Sequence, residues 1–383
     1  MDAQRFRFGR LWASAVVSNL GDGLLLAALP LLGATVTDDP MAISLIALSA
    51  GLPWLLLGPF SGAVVDRVDR RVLMVSTDLV RASTLVLLGI VVSTGLSSIW
   101  PIYVVVFLVA GGETFVDTSA QAMLPTLVAK DRLDTANGRL FSTMTMANQF
   151  VGPPLGGLLF GIAAVLPVAA DAASFAAAAL LIFTLRGRFR PITDDAPTVE
   201  GILTSVGNGI RWLWHNKPIR AFAVGAALLN IGIVAGESIL VLFATDQLGL
   251  TDAGFGALFA ALAAGYMVGS SSAAFLTRRI GRLTIVISSV TAVAAALMLM
   301  GLAVHWSIAA AGLLIIGLAS GLWDVIAVSF RQAAVPDRLL GRAMAAYRVV
   351  AHGALPVGAL LGGFTARIGG NRVPFIVGAV VVT

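Results

Sequence analysis

The sequence predicts an all-α membrane protein: twelve transmembrane helices in two six-helix pseudo-repeats, the twelfth cut short at Thr383. Three observations predict it. The 383-residue chain is 58% hydrophobic and only 12% charged, with a mean hydropathy of +0.94; a soluble domain carries about 25% charged residues. Apolar runs of about 20 residues or more, each long enough to cross a bilayer as a helix, recur along the whole chain. Parts of the second half also repeat the first.

In order, the apolar runs fall at about 11–33, 43–65, 72–94, 101–124, 139–160 and 164–185, giving an N-terminal bundle over 1–185. A cytoplasmic linker follows over 186–218. It opens basic (Arg186, Arg188, Arg190), turns acidic (Asp194, Asp195, Pro197), then carries Val199, Ile202, Val206, Ile210 and Leu213 at helical spacing. That spacing, with Trp212 and Trp214 near its end, predicts an amphipathic helix lying in the membrane interface. The C-terminal bundle, 219–383, has runs at about 219–243, 253–276, 283–304, 308–330 and 343–366, and one beginning near 373.

Charge placement fixes the expected orientation. Of 25 Lys and Arg residues, Arg367 and Arg372 fall in external positions and Arg81 inside a span. The rest lie at the N-terminus, in the even-to-odd connections, or at the adjoining helix ends, which puts both termini in the cytoplasm of a plasma (inner) membrane. The same placement explains the net charge of +5 without nucleic acid. The first apolar run is too long for a cleavable signal. Zero cysteines exclude disulfides and thiolate chemistry.

Repetition joins the halves. Residues 130–157 align without gaps to 336–363, matching Asp131/Asp337, Arg132/Arg338, Leu133/Leu339, Gly152/Gly358 and a closing Leu-Gly-Gly. The loop GAVVDRVDRR, 62–71, is echoed by AAFLTRRIGR, 273–282, where Thr277 replaces Asp66. Repeated halves are how secondary transporters are built. In the first loop, Gly62 permits close helix approach, Asp66 can pair with arginine or cap a facing helix, and Arg67, Arg70 and Arg71 hold the loop on the cytoplasmic side. In GPPLGG, 152–157, Pro153 and Pro154 remove backbone donors while Gly152, Gly156 and Gly157 permit close packing.

Chemistry other than transport has little to work with. Lys130 and Lys217 are the only lysines and neither lies in a phosphate loop, HExxH and GxSxG are absent, and there are three histidines. No metal or cofactor is expected, and the chain does not read as an enzyme. Charges inside the spans carry the functional signal, because each is costly unless paired, neutralised or facing water. Asp22, in SNLGDG, either exchanges protons or hydrogen-bonds Ser18. Glu113, Asp117 and Gln121 form one polar stripe on span 4, suited to a cavity wall, with Glu113 and Asp117 as further proton-coupling candidates. Asp78 and Arg81, three apart, read as an ion pair locking span 3 to the Asp66 loop. Asn19, Gln121, Asn148, Gln149, Asn230, Glu237 and Asp324 are the candidate substrate-cavity residues. Arg331 reads as an anchor at the cytoplasmic end, Asp171 as a helix-start residue, and His352 as packing.

Together the 62–71 loop, GPPLGG, SNLGDG, the Asp-Leu-Val-Arg of 78–81 and the LP…ANG connection at 124–138 resemble the major facilitator superfamily. They are most similar to its macrolide-efflux and enterobactin-exporter branch of proton antiporters. The resemblance implies a monomeric, proton-coupled exporter of lipophilic drugs or other small molecules, working by alternating access and driven by the proton gradient. A siderophore exporter, a proton-coupled importer of a small metabolite and a non-transporting receptor or scaffold share the topology. It further implies that 62–71 with Asp78 and Arg81 is the conformational motif, that GPPLGG argues for export, and that an acid in span 1, here Asp22, handles protons. Two positions depart from the pattern: Glu113 stands in a span that usually carries an arginine, and Asn148 where the span-5 motif has a glycine.

Overall fold

The computed structural model describes residues 2–95, 97–129, 132–185, 187, 189, 199–335 and 337–383; residues 2–5, 134, 199–203, 205, 206, 332, 333, 337–343 and 345 are described by their backbone alone. It is all-helical. The elements are α1 (Asp2–Ala34), α2 (Pro40–Val65), α3 (Arg70–Ser93), α4 (Trp100–Leu127), α5 (Leu133–Thr145), α6 (Gly152–Ile162), α7 (Val165–Phe183), α8 (Val199–His215), α9 (Lys217–Glu237), α10 (Leu240–Leu242), α11 (Asp252–Ile280), α12 (Arg282–Gly301), α13 (Trp306–Ala334), α14 (Asp337–Gly369) and α15 (Val373–Val382). Among the described residues, ten helices are long and apolar enough to cross a bilayer. The two expected spans not among them are the fifth and the twelfth. The fifth is interrupted by a π-turn, Met146–Val151, in which the Gly152 N–H reaches back five residues to the Ala147 carbonyl. Pro153 and Pro154 have no N–H to continue the α ladder, so the wider turn absorbs the mismatch. The twelfth, α15, is ten residues long where the chain stops.

Short polar connections cap the helices they join. Asp39 accepts from the Met41 N–H, Asp69 from Arg71 and Val72, Asn216 from Ile219, and Thr251 from Gly254, each satisfying an orphan donor at a helix start. The turn from α11 to α12 is a single residue, Gly281 at φ +81°, where a side chain would be strained. The run read as one span over 219–243 breaks after Glu237, at Ser238 and Ile239. In the linker, α8 packs on α2, α9 and α14 and buries Leu213. Arg186, Arg188, Arg190, Asp194, Asp195 and Pro197, the side chains of Val199, Ile202 and Val206, and Asp131, Asp337, Arg338 and Leu339 of the repeat lie outside the described residues or side chains.

The repeat is visible as matched close contacts. A Cβ on Gly152 would overlap Gly23 of α1, and one on Gly156 would overlap the Leu24 carbonyl. Their counterparts in the alignment, Gly358 and Gly362, meet Ile231 and Ala235 of α9 in the same way. Gly157 abuts Gly256 of α11, and Gly363 abuts Met41 and Ser44 of α2. Each glycine set therefore faces two helices, one in its own half and one in the other half. Such backbone-to-backbone approach supplies the dispersion contacts that replace the hydrophobic effect inside lipid.

These seams lie at one end. Gly157–Gly256 and Gly363–Ser44 close the end that carries the α1–α2 turn, where Arg367 also pairs with Asp39 at 3.8 Å. Toward the basic end, which carries the N-terminus, the α2–α3 turn and α8, the packing opens. The π-turn and α6 pack on α11, whereas α5, continuing the same span, does not pack substantially against it. A Cβ at Gly58, Gly62 or Gly138 would meet nothing within 4 Å.

Candidate functional site: a buried ion cluster and a facing cavity

The SNLGDG stretch sets the centre of the first half. Gly21 and Gly23 flank Asp22, and each lets a neighbour press against the α1 backbone: Asp171 and Ser174 of α7 at Gly21, the Asn148 carbonyl and Gly152 at Gly23. Asp22 is thereby turned to α3, where Arg81 Nη2 donates to its Oδ1 at 2.5 Å. Room for the arginine comes from Gly112 of α4, where a Cβ would strike Arg81 Cγ and Cδ. The guanidinium is 1% exposed and lies 3.8 Å from the centre of the Phe175 ring. Its Nη1 stands 3.6 Å from Asp78 Oδ1 and donates to Ser18 Oγ at 3.4 Å.

One guanidinium thus serves two carboxylates directly, and three more carboxyls stand within electrostatic reach: Asp171, Glu113 and Asp117. The cluster is under-bonded. Asp22 Oδ2, both Asp78 oxygens, Asp171 Oδ2 and Arg81 Nε are buried without a hydrogen-bond partner. Buried ions missing part of their hydrogen bonding gain or lose much from a single proton. Of the polar stripe on α4, Glu113 faces Trp54 of α2 and is half-buried with Asp117, while Gln121 is exposed. The proton-coupling candidates Asp22, Glu113 and Asp117 therefore share one neighbourhood. Asp78 and Arg81 join that neighbourhood too, instead of the Asp66 loop to which the sequence reading tied them.

The loop holds the basic end of the first half by other means. Asp66 pairs with Arg70 at 3.6 Å, Arg70 Nη1 donates to the Ala122 carbonyl of α4 at 3.0 Å, and Arg71 Nη1 donates to the Leu185 carbonyl after α7 at 2.9 Å. Both arginines thereby sit near the C-terminal ends of α4 and α7, where a cation favours the helix dipole. Arg67 is exposed, and Gly62 is half-buried beside open space.

The second half holds a cavity of about 200 Å³ between α9, α12, α13 and α14, lined by Asn230, Ile233, Ser289, Trp323, Asp324, Tyr347 and His352 among others. Asp324 Oδ2 accepts from the Tyr266 hydroxyl at 3.0 Å, and Asn230 Nδ2 donates to the Ala351 carbonyl at 2.7 Å. Arg331, buried, stacks 3.7 Å over Tyr347 with Nε and Nη1 unpartnered. A larger hollow of about 520 Å³ is lined by six α12 residues alone, none of them charged; it reads as a groove on the lipid side of one helix. Of the expected cavity residues, Asn230 and Asp324 line the cavity. Glu237, at the end of α9, does not, and Asn19 donates to the Ala15 carbonyl of its own helix at 2.9 Å. Gln149 is exposed, and Asn148 meets Gly23 through its backbone.

Asp171 was missed as a member of the cluster. It stands six positions beyond Val165, past the first turn of α7, and a carboxylate that deep in an apolar run is itself a signal. Ser289 and Tyr347 carried no signal that could have found them.

Comparison with known proteins agrees with the geometry. Residues 3–382 match the transmembrane secretion effector family. The chain is 24% identical over 372 residues to the multidrug efflux pump Tap of Mycolicibacterium fortuitum, covering 95% of this chain and 90% of that protein. It is 23% identical over 387 residues to the macrolide efflux protein A of Streptococcus pyogenes, covering 99% and 94%. Among solved structures, a point mutant of the nucleoside transporter NupG superposes with a TM-score of 0.81 at 12% identity, over 98% of this chain and 97% of that one. The fold is the major facilitator fold, and the chain belongs to the transmembrane secretion effector family of multi-pass major facilitator transporters, not to an enzyme family.

Proposed function

We propose that the chain is a proton-coupled exporter of lipophilic small molecules working by alternating access. Two bundles, 1–185 and 219–383, would rock about the central site, tethered by 186–218. Protons act in the first half, at Asp22 with Glu113 and Asp117, and the substrate lies against the second half at Asn230, Trp323, Asp324 and Tyr347. The observation that carries this reading is the Arg81–Asp22 pair: a buried, partly unbonded ion cluster in a transporter half is costly, and proton exchange gives it a use. The distant relatives named for multidrug and macrolide efflux support export. The arginine-rich connections favour a cytoplasmic basic end, and on that reading the conformation opens inward, the state in which an exporter loads. The partners are the lipid bilayer, protons and a small molecule.

The magnitudes are sufficient. One proton crossing about 100 mV releases about 2.3 kcal/mol, enough for a roughly 50-fold substrate gradient at about 1.4 kcal/mol per tenfold. Protonating Asp22 removes the charge that Arg81 holds, so the two protonation states favour different packings of α1 on α3. Substrate shifts the same equilibrium only by its differential affinity for the two states.

Efflux of ethidium and of a macrolide from energised cells tests the proposal. Wild-type chain should extrude at least one of them, and a protonophore or Asp22→Asn should abolish that extrusion. Protonophore-insensitive efflux, or full efflux by Asp22→Asn, would contradict it; saturable uptake without efflux would favour an importer.

A further inference from the structure

Asp171 is the buried carboxyl that the coupling scheme above leaves unused. It is fully buried, 0% exposed, in an apolar stretch of α7. Its position excludes a helix-capping role, since the first-turn N–H groups lie behind it. Oδ1 accepts from the Ser174 hydroxyl at 2.8 Å, and Oδ2 is buried with no partner. Gly21 makes its place, because a Cβ there would overlap Asp171 Oδ1 and Ser174 Oγ. The carboxyl is thereby pressed onto the α1 backbone one residue from Asp22. One turn further along α7, Phe175 covers Arg81. The α7 face that presents Asp171 and Phe175 is therefore a wall of the ion cluster.

The charged groups facing Asp171 are Asp22 from α1 and Asp78 and Arg81 from α3, with Glu113 and Asp117 of α4 around the same guanidinium. α6, which also packs on α7, offers no titratable side chain. Arg81 is already committed to Asp22 and Asp78. An ionised Asp171 would be a buried charge with no cation of its own, whereas a proton on Oδ2 makes it neutral. The Asp171 carboxyl presses on Gly21, the residue before Asp22, so the two acids stand at about the same depth.

We infer that Asp171 carries a proton which it exchanges with Asp22, the two forming a two-carboxyl relay. The proton leaves Asp171 Oδ2 and arrives on the Asp22 carboxylate; Arg81, released from Asp22, then balances the ionised Asp171, so total charge is unchanged. The inference rests on the proposed proton coupling at Asp22.

Two measurements on the purified full chain test it. Infrared difference spectra between acid and alkaline pH, without substrate, should contain a protonated-carboxyl C=O band that Asp171→Asn removes, Asp171→Glu displaces, and Asp22→Asn perturbs. Ethidium efflux from proteoliposomes under an imposed proton gradient should fall at least tenfold in Asp171→Asn, while dye exchange without a gradient continues and Asp171→Glu recovers part of the driven rate. An unchanged carboxyl spectrum in Asp171→Asn overturns the inference. So does equal loss of driven efflux and exchange in Asp171→Asn and Asp171→Glu, which would mark a packing role. If Asp22→Asn keeps driven efflux while the Asp171 band behaves as described, the coupling reading fails and the proton on Asp171 stands.

Discussion

The two halves are built on one plan and filled with opposite chemistry. Asn19 and Gly21 of α1 recur 211 positions on as Asn230 and Gly232 of α9. At both glycines an added Cβ would strike the sixth helix of the same half, α7 or α15. At that same spacing Asp22 becomes Ile233, Asp78 becomes Ser289 and Arg81 becomes Ala292. Where the first half is filled by a guanidinium and its carboxylates, the second has short uncharged side chains, and Ile233 and Ser289 line the cavity that results. The difference teaches that the glycine-paired scaffold is indifferent to what occupies its centre. One copy can hold ions for coupling while the other leaves space for a ligand.

The largest expected effect breaks the filled half. Arg81→Ala leaves Asp22 and Asp78 buried with no cation, and losing one partner of a buried pair costs about 3–5 kcal/mol. A large fall in the thermal unfolding midpoint of purified protein is expected. Arg331→Ala removes a buried arginine that holds no ion pair among the described residues, so its loss should be clearly smaller. Equal losses would erase the contrast between the halves.

The scaffold comes next. Gly156→Leu and Gly362→Leu each force a side chain into a facing backbone carbonyl, that of Leu24 or of Ala235. Overpacking of this kind costs about 1–3 kcal/mol or more. The two variants should lose stability alike in the same unfolding assay, because their surroundings match. A large difference would show that the repeat is not mechanical.

Filling the empty half sharpens the comparison from the other side. Ser289 is 2% exposed and its hydroxyl has no partner, so Ser289→Leu should change stability by less than about 1 kcal/mol. It occupies cavity space, and equilibrium dye binding should weaken roughly tenfold or more. The smallest stability effect belongs to Asp66→Asn. Asp66 is the exposed member of its pair with Arg70, and a pair open to solvent on one side contributes about 0–1 kcal/mol.

Much of this was legible in the sequence, for physical reasons. Bilayer thickness dictates run length, so the spans follow from hydropathy, and the two spans whose helices are too short to cross a bilayer alone are the one interrupted at Pro153-Pro154 and the last, α15. Single buried charges are also legible, because each is conspicuous in an apolar run. Their pairings are not. Asp78 and Arg81 look self-sufficient at a spacing of three, yet the arginine reaches across to Asp22 because Gly112, on a different helix, makes room. The cavity was least legible of all, since it is made by what Ile233 and Ser289 lack.

The central claim is that protons act in the first half and substrate binds in the second. It is tested most directly by measuring proton release when ethidium, or the macrolide that the efflux panel identifies, binds to purified protein in weakly buffered solution. Wild type should release protons on binding. Asp22→Asn, whose neutral amide stands for the protonated acid, should release fewer and bind more weakly, and Ser289→Leu should bind weakly yet release the wild-type number per ligand bound. Unchanged release by Asp22→Asn, or binding unaffected by Ser289→Leu, would contradict the division of labour between the halves.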